Sequence, residues 1–187
     1  MTRYPDLYVL RHGETAWNAE GRLQGHLDSA LTTEGRAQAA RQAGILRNID
    51  LSGADLRSSP QGRAWETART ALAGRGPIRS EPLLREIGVG AWAGRRRDDI
   101  AATWPVPIEG FELYEQAPEG EGFAALEARC RLLLQRLDRP TVLVTHGMTS
   151  RMIRAIALGL GRAGVADVDG GQGVVFHISN GVQNRLE

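Results

Sequence analysis

The sequence predicts an α/β sandwich, and three observations carry that prediction. Two short runs, residues 7–10 and 141–145, are apolar or β-branched throughout, as strands covered on both faces are. Segments with helical spacing alternate with strand-like runs along the chain, the order that a sheet flanked by helices produces. Each of the two strong strands runs into a histidine followed by a glycine, His12-Gly13 and His146-Gly147. Ligands in open α/β sheets bind in the crevice beyond the carboxyl ends of the strands.

Leu7, Tyr8, Val9 and Leu10 make the first strand, which stops at Arg11-His12-Gly13. A guanidinium beside an imidazole suits an anionic substrate, the first forking two oxygens and the second supplying a nucleophile. Gly13 would let the backbone come close to a bound anion. On the tripeptide alone, a buried and hydrogen-bonded histidine is the competing reading. Residues 21–26 are punctuated by glycine and read as a loop. Thr32 or Thr33 caps a helix running to about Leu46, with Glu34 at its positive dipole end. Ala37, Ala40 and Gly44 give that helix a flat face for close packing on a sheet.

Residues 54–58 form a weaker strand. Pro60 then stands at a first-turn position of a helix over residues 61–73, which Gly74, Gly76 and Pro77 end. Residues 78–80 are a short strand. Residues 82–117 lack periodicity, as a functional cap or binding loop does. Residues 122–137 carry the clearest helical pattern, with Leu126, Cys130, Leu133, Leu134 and Leu137 inward, so Cys130 reads as a core filler. After Pro140 comes the second strong strand, then a helix from Thr149 to about Leu158 with Met152, Ile153 and Ile156 inward. Residues 174–179 are the last strand, placed at a sheet edge.

Composition narrows the function. The 187 residues carry a net charge of +1, and all 23 basic residues are arginines interspersed with 22 acidic ones. That is a mixed solvated surface, which argues against nucleic-acid binding. Cys130 is the only cysteine, so neither an intrachain disulfide nor a cysteine-rich metal site is expected. The spacing of His12, His26, His146 and His177 matches no zinc signature, so no metal is expected and phosphate charge falls to Arg and His. The first residues lack a signal-peptide core and no run of about 18 apolar residues occurs. One domain over residues 1–187, in a reducing cytoplasmic setting and without membrane contact, is the expectation.

Four blocks of sequence resemble the histidine phosphatase superfamily, the group that contains the phosphoglycerate mutases. The signature R-H-G-[ES]-T-x-W-N stands complete from Arg11 to Asn18. The block S-P-L-x-R-A-x-x-T-A is matched by Ser59 to Ala68, with Gln61 in place of Leu. The block L-x-E-x-x-x-G-x-W-x-G is Leu84 to Gly94, and the fourth is Thr145-His146-Gly147. The resemblance spans nearly the whole chain. It implies a three-layer fold in which helices cover both faces of a mostly parallel central sheet.

It also implies roles. His12 is the nucleophile that forms a phosphohistidine; Arg11, Arg63 and His146 bind the phosphoryl oxygens; Glu86 is the proton donor and later the base for water. Asn18, Gln24, Thr15 and Gly147 are expected to bind substrate. Physically, phosphoryl transfer asks for positioning and charge stabilisation, which fixed guanidinium donors supply. His12 must be neutral to attack, whereas His146 is more useful protonated. Arg151 lies where many of these phosphatases carry Arg, beside an equal helix-surface reading.

The departures favour hydrolysis over mutase chemistry. Mutases of the family read His-Gly-Asn at the fourth block, where this chain has Met148. They carry a longer basic segment, where residues 104–118 here bear Glu109, Glu112 and Glu115, expected to repel a second phosphate. Against that, Arg97 falls where mutases place a basic residue, and the run Arg95-Arg96-Arg97 reads as a solvated surface or a grip for an anionic group. The expected activity is hydrolysis of a small phosphomonoester without a cofactor, by a monomer or homodimer, with residues 95–120 covering the substrate. A phosphoglycerate mutase is the alternative, and a non-catalytic phosphate-binding module the reading from another class.

Overall fold

A computed structural model describes residues 4–105 and 110–187. Its centre is a six-stranded mixed sheet in the order β3-β2-β4-β1-β5-β6. The strands are β1 (Leu7–Arg11), β2 (Asp55–Ser58), β3 (Arg79–Ser80), β4 (Thr141–Thr145), β5 (Val175–Ser179) and β6 (Val182–Leu186). β1 and β4 pair in parallel with Arg11 opposite Thr145. β2 extends the parallel part beyond β4, while β5 and β6 add on antiparallel. The two histidines that follow β1 and β4 therefore stand side by side.

Alternation along the central strands builds two cores. Leu7, Val9 and Leu143 face one side, with Leu126, Cys130, Leu133 and Leu134 of α6 (Gly122–Gln135) and Met152, Ile153 and Ile156 of α7 (Gly147–Ala157). Tyr8, Leu10, Val142 and Val144 face the other, against Leu46 of α2 (Thr33–Arg47) and Ala68 and Ala71 of α3 (Gly62–Ala71). Each fully buried Leu or Ile contributes about 2 kcal/mol, and both faces are dry because both are covered. The remaining helices are short: α1 (Ala16–Ala19), α4 (Arg97–Thr103) and α5 (Glu112–Glu115). No helix among the described residues is long and apolar enough to cross a membrane.

Four expectations need correction. Residues 175–179 are not an edge strand, because β6 pairs outside them. The close-packing face of α2 is Gly35, Gln38, Ala39, Gln42 and Leu46, while Ala37 and Ala40 are exposed. Gln42 Nε2 donates to the carbonyls of Arg11 and Val174, both at 3.0 Å, so this face bonds the sheet as well as packing on it. Pro60 precedes Gln61, the N-cap of α3, and is not in the first turn. α7 begins at Gly147, with His146 as its N-cap, two residues earlier than the pattern indicated.

Candidate active site

Three strand ends build the site. His12 follows β1, and its backbone N–H donates to the Thr145 carbonyl at 2.9 Å. His146 follows β4, and its ring meets that of His12 edge-on with centroids 5.1 Å apart. Ser59 follows β2 and places its Oγ 2.8 Å from His146 Nε2. A cavity of about 170 Å³ opens in front of His12. Arg11, Arg22, Arg63, Arg97 and Arg151 are on its wall, with Glu86 as the one carboxylate among the lining residues. Such a surplus of guanidinium groups attracts a multiply charged anion.

His12 is held in one tautomer. Its Nδ1 lies 2.7 Å from the Gly13 carbonyl, which can only accept, so Nδ1 carries the proton. Nε2 then keeps a lone pair, and Arg63 Nε donates to it at 3.3 Å. Burial, then the Arg11 and Arg63 charges, holds the ring well below the ordinary imidazole pKa, so it is neutral. A neutral imidazole with an unprotonated Nε2 in a cationic cavity is a nucleophile for phosphorus.

Arg63 belongs to the first turn of α3 but its side chain is only 1% exposed. Nη1 donates to the Leu27 carbonyl at 2.7 Å and to Asp28 at 2.6 Å, and Nη2 to the Gly25 carbonyl at 2.9 Å. These bonds fix the plane of the guanidinium before any ligand arrives. Arg11 is half-buried at the end of β1, and loss of water around its guanidinium pulls it below the usual value, opposed by Glu86 and Tyr114.

Glu86 sits against the first turn of α7. Its Oε1 accepts from Thr149 N at 3.1 Å and Ile87 N at 3.0 Å, and its Oε2 from Met148 N at 3.2 Å. The carboxylate thus satisfies N–H groups that the helix leaves open at its start. Gly147 is next to it: a Cβ there would lie 3.5 Å from both Glu86 Oε2 and Arg11 Cζ.

The predicted residues divide by where they lie. His12, Arg11, Arg63, Glu86, Asn18, Gln24, Gly147 and Arg97 line the cavity together. Thr15 does not line it. Its hydroxyl accepts from Asn18 N at 3.2 Å and Gln24 Nε2 at 2.8 Å, so it shapes the loop that presents those residues. His146 is fully buried behind the wall, and burial, then the charge of Arg63, pushes it well below the ordinary imidazole value. The expectation of a protonated His146 is thus corrected: its surroundings keep it neutral. Gly13 is also corrected, since its close approach is to protein backbone. A Cβ there would lie 2.1 Å from the Gly35 carbonyl oxygen, where α2 crosses.

The segment expected to cover the site supplies one wall. Phe111 and Tyr114 line the cavity, with the Arg151 guanidinium 4.9 Å from the Phe111 ring and that of Arg97 5.3 Å from the Tyr114 ring. Arg95 and Arg96 are exposed and off the wall. Glu112 and Glu115 are exposed and absent from the wall too, so they do not repel a second phosphate there; Glu109 lies outside the described residues. Sequence reasoning gave no role to Ser59 or Asp28, whose contacts span 87 and 35 residues. The signals for Ser59 were its place at the end of a weak strand and at the head of the second family block.

The molecule resembles known proteins in sequence and in fold. The sequence profile of the histidine phosphatase superfamily (branch 1) matches residues 7–179. A probable phosphoglycerate mutase of Erwinia tasmaniensis is 33% identical over 164 residues, 82% of this chain and 75% of that protein. Phosphoglycerate mutase-like protein 4 of Arabidopsis thaliana is 34% identical over 161 residues, 80% of this chain and 70% of that protein. Among solved structures, a mycobacterial glucosyl-3-phosphoglycerate phosphatase in complex with VO3 superposes with a TM-score of 0.81 at 32% identity, covering 100% of this chain and 98% of that one. A putative α-ribazole-5′-P phosphatase from Escherichia coli gives 0.79 at 26% identity, covering 98% and 95%. With its two histidines at adjacent strand ends and this match along almost its entire length, the chain belongs to the histidine phosphatase superfamily.

Proposed function

We propose that the protein hydrolyses a small phosphomonoester through a covalent phosphohistidine on His12, without a resident metal. The observation that carries this reading is the His12 ring: Nδ1 tied to the Gly13 carbonyl and Nε2 unprotonated, on a wall with five arginines. The Nε2 lone pair attacks phosphorus in line with the ester oxygen as the P–O bond breaks. Glu86 delivers a proton to the departing oxygen. Water then loses a proton to the Glu86 carboxylate and attacks phosphorus, the P–N bond breaks, and inorganic phosphate leaves with His12 neutral again.

The charge that spreads over the equatorial oxygens is met by Arg11 and by Arg63, whose Nε–H passes from the His12 Nε2 lone pair to a phosphoryl oxygen as substrate binds. Among the described residues Arg11 Nε is a buried polar atom without a hydrogen-bond partner, and an anion in the cavity that Arg11 lines would satisfy it. The cavity, at about 170 Å³, is below the usual range for drug-sized ligands, which supports a small substrate. Phosphoglycerate mutase activity is the second reading. It is supported by the names of the curated relatives and by Arg22, Arg97 and Arg151 as further cations on the wall.

The test is phosphate release from a panel of phosphomonoesters, including 3-phosphoglycerate, in excess EDTA with His12→Ala in parallel. The expected result is turnover that survives the chelator and disappears in the variant. Interconversion of 2- and 3-phosphoglycerate without phosphate release would favour the mutase instead. Turnover that EDTA abolishes would overturn the metal-free mechanism.

A further inference from the structure

We propose that Arg129, paired with Glu121, is a positioning residue that holds Glu86 at the reacting bond, although neither residue lines the cavity. The inference rests on the proton-donor role given to Glu86 above. Glu86 lies on a strand-free stretch just after the 3-10 turn Pro82–Leu84, so its backbone has no ladder to fix it.

The Glu86 N–H donates to Gln61 Oε1 at 2.7 Å, and the residues on either side are tied to one ion pair. Arg129 Nη1 donates to the Leu83 carbonyl at 2.6 Å, before Glu86. Its Nε donates to Glu121 Oε1 at 2.5 Å and its Nη2 to Glu121 Oε2 at 3.1 Å, a bidentate fork. Glu121 Oε2 in turn accepts from Gly88 N at 3.0 Å, after Glu86. A third link runs through Thr149, whose Oγ lies 3.5 Å from Arg129 Nη2, donates to the Arg85 carbonyl at 2.7 Å and lies 3.2 Å from Glu86 Oε1. Residues on both sides of the carboxylate are therefore tied to one ion pair, beside the direct bonds that Glu86 makes with Gln61, Met148 and Thr149.

The pair is withdrawn from water, with Arg129 16% and Glu121 17% exposed. An ion pair so placed is a weak contributor to stability, because desolvation offsets its attraction. Its geometric use is more specific, since misplacing a catalytic group by about 1 Å costs on the order of 100-fold in rate. A lysine at 129 would keep the charge but could not serve the Leu83 carbonyl and both Glu121 oxygens together.

The leaving group tells positioning of an acid from general damage. The kcat/KM of Arg129→Lys and Glu121→Gln is measured on glycerol 3-phosphate, whose alkoxide needs a proton, and on 2,4-dinitrophenyl phosphate, whose phenolate does not. Glu86→Gln serves as the reference pattern, and orthovanadate affinity and the melting temperature report the phosphate pocket and the fold. The expected result is a loss of roughly 10- to 100-fold on the alkyl ester and less than about 3-fold on the aryl ester, with vanadate affinity within about 2-fold of wild type. Equal loss on both esters, no loss on either, or weakened vanadate binding would overturn the inference. Wild-type protein that turned over neither ester would remove the hydrolase reading itself and this inference with it.

Discussion

The neutral state of the two buried histidines makes stability depend on pH. In the folded protein, burial and the nearby Arg11 and Arg63 charges depress His12; burial, Arg63 and His12 depress His146. The unfolded chain takes protons on both rings as pH falls through about 6.5, while the folded chain does so only at much lower pH. The unfolded state binds more protons in that window, so stability is full above the unfolded value and declines as pH falls. Each ring costs up to about 1.4 kcal/mol per pH unit there, giving up to about 2.7 kcal/mol for the pair between pH 7.5 and 5.5. Urea unfolding of wild type and the His12→Asn/His146→Asn double variant, followed by tryptophan fluorescence in phosphate-free buffer, isolates this contribution, since other groups titrate alike in both. Wild type should lose up to that much more than the variant across the interval. Parallel pH dependence in the two proteins would refute the reasoning.

Two further substitutions probe other parts of the site. Arg63→Lys removes the fork that reaches Gly25, Leu27 and Asp28 and bonds His12; kcat/KM for phosphate release should fall by about 10²- to 10³-fold, while a near-normal rate would show that charge alone suffices. Gly13→Ala drives a methyl against the Gly35 carbonyl, 2.1 Å from the new atom, and should cost about 2 kcal/mol or more; an unchanged melting temperature would show that α2 shifts freely.

What could be read from the sequence followed how local its causes are. β1 and β4 were visible because strands buried on both faces leave unbroken apolar runs, and His12 and His146 were placed by the ends of those runs. Their being neighbours required the parallel pairing of β1 with β4, which no local pattern states. β6 escaped because Gln183, Asn184 and Arg185 give it little apolar character, and without it β5 was placed at the edge. Thr15 stood in a signature block beside residues that face the cavity, yet its hydroxyl caps α1, a role that depends on backbone direction. The neutrality of His146 was hidden for a different reason: it follows from full burial near the Arg63, Arg129 and Arg11 guanidinium groups, a property of the assembled site.

Glu86 marks the limit most clearly. Residues 82–94 have no periodicity that would assign a carboxylate to anything, and only the family resemblance singled it out. Its partners in space, Met148 and Thr149 on α7, were assembled by the fold, as was the Arg129–Glu121 pair that ties Leu83 and Gly88 on either side of it.

The central claim is covalent transfer to one nitrogen of one ring. Rapid-quench of wild-type protein during turnover of a slow phosphomonoester, followed by peptide mapping and 31P spectroscopy, measures it directly. One acid-labile, base-stable phosphoryl group is expected on Nε2 of His12, because Nδ1 is committed to the Gly13 carbonyl. Phosphate on His146 or on Nδ1 of His12, or burst-free turnover by a His12→Ala variant, would contradict it.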